Sequence, residues 1–381
     1  MATRASQQVP SYSYDDDAVS VSVSNRSSSD PRPGSFLSGD FAAVSPVYFH
    51  NLGGGKYFGV FSRRWHSVSY PHGASDPNMF SSYAEDTTPS WAIFDGKNGH
   101  RSIIPGHGSN NITTNVSGTR TLSGACGRAN SYLYVLQSCT SGGTTNGVIS
   151  HYFINPVIGQ VNLLGEETIP NATVNGETVV FDRGVKYGPT YLNFVGHGLT
   201  SGKMYLSRKN WGRIGTAASP IEYQGAKGWL TDPSTAAPLV DSTGTPLTTA
   251  GPVSFADYQG RTWMSTTQNS SGVMTSQIYS SAGLWEGWTP QGQPYPLGTT
   301  GSSYLGGTAH LQPSLRANQA RVGATSVSGI PVCWATKSSS GSNSGISIHW
   351  DLWPVNVPNA ARLVTAGANL TVSPAPSALA S

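Results

Sequence analysis

Three carboxylates, Asp182, Glu222 and Asp257, fall near the ends of short apolar runs. Two carboxyl groups held about 5–10 Å apart across one bond are the machinery of glycoside hydrolysis, one as acid and one as nucleophile or base. The ordinary alternative for each is a turn or capping role. Acids are scarce here, with 19 Asp and Glu in 381 residues. His66, His197 and His310 also lie near strand ends, where imidazole can shuttle protons or hold metal. Without a matching His/carboxylate spacing they read as hydrogen-bonded loop histidines. No phosphate loop, nucleophile elbow or Ser-His-Asp order occurs. The three cysteines lack zinc-type spacing, so neither metal nor cofactor is expected. Cys126 and Cys139 flank "SYLYVLQS" as a candidate local bridge, and Cys333 in "IPVCWAT" reads as a buried apolar residue.

A binding protein needs less. Sugar rings stack on Trp and Tyr faces while polar groups reach the hydroxyls. Trp65, Trp211, Trp229, Trp285 and Trp288 adjoin Gly-rich loops and offer such platforms. Packing between sheets is the alternative, favoured for the Trp285/Trp288 pair. The net charge is +3 with no basic stripe, which excludes a nucleic-acid reader. The densest basic stretch, "RKNWGR" (208–213), reads as a solvated loop rather than a phosphate site. No run approaches the ~20 apolar residues of a membrane span. The N-terminus lacks the apolar centre of a signal peptide, although a chain rich in Ser, Thr, Asn and Gly suits an extracellular surface.

These side chains must be positioned by strands. Aromatics make up 10% of the chain, charged residues 11%, and 45 glycines and 25 prolines punctuate it, with no long stretch of helical period. The fold class is all-β. A strand–turn–strand scheme recurs at 44–65, 127–154, 187–214, 251–280 and 314–353. Outer segments such as "SWAIFDG" (90–96) and "IEYQGAKGWLTDP" (221–233) sit between some units. A spacing of roughly 50–70 residues with about four short strands per unit is the signature of a β-propeller, here with five blades. A pair of β-sandwiches is the structural alternative. Residues 1–35 read as an extended N-terminal arm, 36–361 as the propeller and 362–381 as a Pro/Ala/Ser-rich C-terminal tail.

Three stretches carry a family resemblance. "KMYLSRKNWGRIGTAASPIEYQGAKGWLTDP" (203–233), "GPVSFADYQGRTWMSTTQN" (251–269) leading to "SSAGLWEGW" (280–288), and "YLGGTAHLQPSL" (304–315) resemble successive blades of one five-bladed propeller family. That family occurs in actinobacterial secreted proteins and in minor tail proteins of phages infecting those bacteria. It is related to endo-D-arabinanases. The resemblance spans about residues 36–355 and is strongest over 185–340. It implies acids near the propeller axis on the first blade. Asp40 in "FLSGDFAAVSP" matches the first of these. At the second, "YFGVFSRRW" carries Arg63, Arg64 and Trp65 and no acid, so Asp182, Glu222 or Asp257 would have to be the partner. Arg63, Arg64, Trp65, His197, Trp211, Trp229 and His310 are the candidate binding residues. The implied role is a virion tail component recognising host cell-wall polysaccharide. It would work beside other tail proteins, as a homo-oligomer. An arabinan-cleaving glycoside hydrolase and a purely structural tail component are the alternatives.

Overall fold

Two-residue turns set the hairpins. At Gly142–Gly143, Asn175–Gly176, Gln259–Gly260 and Ser271–Gly272, both turn residues have positive φ. That is the type I′ geometry whose twist matches the flanking strands. The computed structural model describes residues 41–53, 56–67, 83–86, 89–95, 114–129, 131–155, 160–216, 219–285, 287–312, 317–322, 325–337, 346–354 and 369–372. Among these residues the only helical pieces are two 3-10 turns, Trp211–Arg213 and Pro233–Thr235, and no helix is long and apolar enough to cross a membrane.

The strands form five antiparallel sheets in chain order. The first holds β1 (Phe41–Gly53), β2 (Lys56–Ser67), β3 (Tyr83–Asp86) and β4 (Ser90–Asp95), with β3 and β4 sharing the outer edge of β2. The second is a meander of β5 (Thr119–Arg128), β6 (Tyr132–Ser141), β7 (Thr144–Asn155) and β8 (Gln160–Ile169). The third runs through β9 (Ala172–Val174), β10 (Glu177–Tyr187), β11 (Tyr191–Gly198), β12 (Met204–Asn210), β13 (Glu222–Gly225) and β14 (Gly228–Leu230). The fourth contains β15 (Val253–Tyr258), β16 (Arg261–Ser270), β17 (Val273–Ser281) and β18 (Thr289–Thr299). The fifth contains β19 (His310–Leu311), β20 (Ala317–Val322), β21 (Thr325–Lys337), β22 (Ile346–Pro354) and β23 (Asn369–Val372). β23 draws four residues of the segment read as a tail into this sheet, where they pair with Ile346–His349. The arm at 1–35 lies outside the described residues.

One strand of each sheet joins a cycle: β1 packs on β5, β5 on β10, β10 on β15, β15 on β19, and β19 on β1. Alternation along the middle strands explains their unbroken apolar runs. Leu133 and Val135 of β6 face the core shared with the first sheet, while Tyr134 and Leu136 face the core shared with the third. Phe194 and Val195 of β11 divide in the same way, as do Trp263 and Met264 of β16. A strand buried on both faces favours apolar residues on both, and where β16 buries Ser265, Thr266 and Thr267 instead, their hydroxyls are hydrogen-bonded. Each fully buried Leu, Val or Phe contributes about 1.5–3 kcal/mol.

Small residues allow the closest approach. A Cβ on Gly184 of β10 would lie 2.5 Å from the Val253 carbonyl oxygen of β15. At the junction of the first and fifth sheets the fully buried Gln312 spans the gap. Its Oε1 accepts from the Phe49 N–H at 3.0 Å, and its Nε2 donates to the Val47 carbonyl at 3.2 Å and to Cys333 Sγ at 3.0 Å.

Cys126, Cys139 and Cys333 are free and buried. The candidate local bridge is ruled out by register. Cys126 sits opposite Tyr134 and Cys139 opposite Arg120, roughly 20 Å apart along the ladder at about 3.3 Å per residue. The "RKNWGR" stretch is a solvated turn only at its end, where Gly212 and Arg213 are exposed: Lys209 on β12 is 3% exposed, its ammonium bonded to Glu167 and to the Thr216 carbonyl. The tryptophan pair splits, with Trp288 fully buried and Trp285 54% exposed. Trp288 and Leu284 turn into the core between the third and fourth sheets, and Trp285 is left outside.

Candidate functional site

Inner strands β5, β10 and β15 end at the same place, and a cavity of about 230 Å³ opens there. Tyr48 of β1, Cys126 and Gly127 of β5, Lys186 and Tyr187 of β10, and Asp257 of β15 are among its walls. The Tyr48 hydroxyl accepts from the Gly127 N–H at 3.0 Å, tying β1 to β5. Lys186 Nζ lies 2.7 Å from Asp257 Oδ2, and Thr262 Oγ1 donates to Asp257 Oδ1 at 2.8 Å. The cavity therefore carries one ion pair, with both carboxylate oxygens occupied. Burial pushes the Cys126 thiol up to about 12, so it stays protonated and is no nucleophile at neutral pH.

The rim is aromatic. Arg128, next in chain to Gly127, lays its guanidinium over the Trp211 ring 3.4 Å from the centroid, with Tyr132 at 5.7 Å. Trp211 opens a 3-10 turn capped by Asn210, whose side chain accepts from the Gly212 N–H. The indole N–H donates to the Pro189 carbonyl at 3.1 Å, and the ring stands 6.4 Å from that of Tyr187 on the cavity wall. Beneath them Tyr134 stacks on His151 at 4.4 Å. Further out on the third sheet, Arg208 is held between Tyr191 at 4.1 Å and Trp229 at 4.2 Å. Glu222 pairs with Arg208 at 2.6 Å, and exposed Trp285 meets Trp229 edge to face.

The candidate acids are distributed among different environments. Asp257 lines the cavity, and Glu222 belongs to the Arg208 cluster. Asp182 is buried, its Oδ2 accepting from Ser138 at 2.7 Å and its Oδ1 lying 3.1 Å from His197 Nδ1 and 3.5 Å from Arg183 Nε. Burial alone raises this carboxyl, but the His197 ring, the Arg183 charge and the Ser138 hydroxyl hold it below the usual carboxylate range. Asp40 lies outside the described residues. Among the binding candidates, Trp211 stands on the rim, Trp229 in the Arg208 cluster and His197 beside Asp182. His310 is buried on β19, where desolvation lowers it to about 3. Arg63, Arg64 and Trp65 occupy β2 opposite Val44, Ala43 and Ala42. No group of three or more potential metal ligands occurs among the described residues.

Sequence reasoning missed Arg128, Lys186, Tyr187 and Tyr48. The available signal was positional. "CGR" (126–128), "VKY" (185–187) and "ADY" (256–258) are the last residues of three inner strands, and equivalent strand ends meet at one mouth.

No family model matches the sequence, and no curated protein matches it. Among solved structures, an α-L-arabinofuranosidase of Podospora anserina in complex with cellotriose is similar over 87% of this chain and 92% of its own, at 11% identity and TM-score 0.36. A subtype N10 neuraminidase-like protein of A/little yellow-shouldered bat/Guatemala is similar over 81% of this chain and 97% of its own, at 12% identity and TM-score 0.34. A member of the GH130 family of mannoside phosphorylases, described as containing glycoside hydrolases that target β-1,2 mannosidic linkages in Candida mannan, covers 62% of this chain and 68% of its own, at 11% identity and TM-score 0.28. Likenesses this slight fix neither a blade count nor a chemistry for this chain.

Proposed function

We propose that the five sheets are blades of a five-bladed β-propeller that engages a cell-envelope polysaccharide at one mouth of its axis. The cycle of inner-strand contacts supports the propeller. The observation that carries the binding role is the pairing of a small cavity with stacked aromatic and guanidinium faces on its rim. Apolar sugar faces bury against rings of this kind, and weak sites on one surface add through multivalency. The biological setting, a minor tail protein of a phage infecting actinobacteria, rests on the sequence resemblance. In that setting the chain would assemble with other tail proteins, as a homo-oligomer in the virion. A gene position outside any tail-gene cluster would remove it.

A second reading, an arabinan-cleaving glycoside hydrolase, is favoured by Asp257, a carboxylate on the cavity wall. Asp40 is the partner that the resemblance suggests. Against it, Asp257 is engaged on both oxygens by Lys186 and Thr262. The test is purified protein on isolated mycobacterial-type cell wall and arabinogalactan, beside Trp211→Ala, Asp257→Asn and Asp40→Asn. The binding reading expects retention on the wall that weakens in Trp211→Ala, with no sugar released. Oligosaccharide release that disappears in either Asp→Asn variant establishes the hydrolase instead. A wild-type protein that neither binds nor releases sugar defeats both.

A further inference from the structure

Arg128 differs from the other cations described around the mouth. Lys186 is paired with Asp257, Arg208 with Glu222 and Lys209 with Glu167. Arg128 is partly buried and held flat on Trp211, yet no carboxylate lies within ion-pair distance of it among the described residues; the Tyr134 hydroxyl is the polar side chain that hydrogen-bonds with it. One hydroxyl cannot satisfy the five N–H donors of a guanidinium. His151 Nε2, its ring stacked on Tyr134, is buried and without a partner of its own. Both groups are near enough to respond to Arg128. Burial, the larger cause, lowers His151 to about 4, and the Arg128 charge lowers it further; burial raises Tyr134 to about 12 against the same charge and its hydrogen bond.

A guanidinium stacked on an indole keeps its donors in one plane, and those that Tyr134 does not take are open along its edge. That fork matches the two oxygens of a carboxylate or phosphate, and stacking removes the entropy cost of holding it there. The backbone supplies the placement, because Arg128 follows Gly127 of the cavity wall directly and Trp211 abuts Tyr187 of the same wall. We propose that Arg128 is the anchor for an oxyanion substituent, a carboxylate or phosphate ester, on the carbohydrate that occupies the mouth. This rests on the carbohydrate-binding reading and narrows it to acidic glycans.

The test titrates the full chain with glucuronate, glucose 1-phosphate and glucose, followed by ligand-observed NMR, for wild type, Arg128→Lys and Arg128→Gln. Thermal midpoints close to wild type verify that the variants fold. Wild type should bind at least one of the two anionic sugars at least tenfold more tightly than glucose. Arg128→Lys should lose at least tenfold for that sugar, despite keeping its charge. Which sugar is preferred tells carboxylate from phosphate. Equal binding of all three, or anion binding unaltered in both variants, overturns the assignment while the carbohydrate reading stands. Absence of binding to every sugar, with no retention on isolated wall, overturns both.

Discussion

Replacing Gln312 by Ala should weaken the junction between the first and fifth sheets more than its size suggests. The amide is fully buried and serves three partners: the Phe49 N–H, the Val47 carbonyl and Cys333 Sγ. Removing it withdraws an acceptor from one buried backbone group and a donor from another. Each buried group left unpaired costs about 1–3 kcal/mol, so the two together cost about 4 kcal/mol. Unfolding entropy near 2.1 cal/mol/K per residue gives about 0.8 kcal/mol/K for 381 residues. The thermal midpoint should therefore fall by about 5 °C. Calorimetry of Gln312→Ala and Gln312→Met is the assay. The methionine fills the volume but cannot bridge, so it should show that fall alone, while the alanine, which also leaves a cavity, should fall at least as far. Gln291→Ala is the control: it loses only an exposed bond to the Thr289 carbonyl and should shift by less than about 1 °C. A Gln312→Met midpoint within about 1 °C of wild type would refute the reasoning, because the stabilisation would then be packing alone.

Three histidines predict acid lability. Burial lowers His50 and His151 to about 4 and His310 to about 3, so all three are neutral when folded at pH 7. Unfolding lets them regain ordinary values near 6.5. Their contribution is complete above that pH and is lost as pH falls from 6.5 toward 4; urea midpoints across that window should fall with pH, and a flat profile would contradict the burial. Thiol titration of native protein should find Cys126, Cys139 and Cys333 unreactive, with three equivalents appearing only in denaturant. Gly184→Ala forces a Cβ to within 2.5 Å of the Val253 carbonyl, so it should cost more than about 3 kcal/mol or prevent folding, as measured by soluble yield and thermal midpoint.

Much of the fold was legible because turns and alternation are local. The expected hairpins at 44–65, 127–154 and 251–280 coincide with the pairings of β1 with β2, β6 with β7, and β15 through β17. The segments at 90–96 and 221–233 became β4 and the β13–β14 pair. At the hairpin with a polar stretch from Gln268 to Gly272, only Ser271 and Gly272 form the turn, since polar residues extend the ladder wherever it leaves the core. The site was less legible. Arg128 and Trp211 are 83 positions apart in sequence, and only the packing of the second sheet on the third brings them into contact. Acids and histidines drew attention by type, yet Asp182 and His197 lie in a buried polar cluster. Burial on both faces of a strand cannot be inferred from a residue's identity alone.

The cycle of sheets also has a mechanical consequence. The described chain enters through β1 and its last strands lie in the fifth sheet, against which β1 packs. Two handles attached at those points would stand on either side of one joint. Within each sheet, load is shared by many ladder hydrogen bonds. Across this joint no strand of one sheet pairs with a strand of the other among the described residues. Tension there would bear on packed side chains and the Gln312 clasp. Under a pull the molecule would part like a split washer, opening at that joint while its five sheets stay whole.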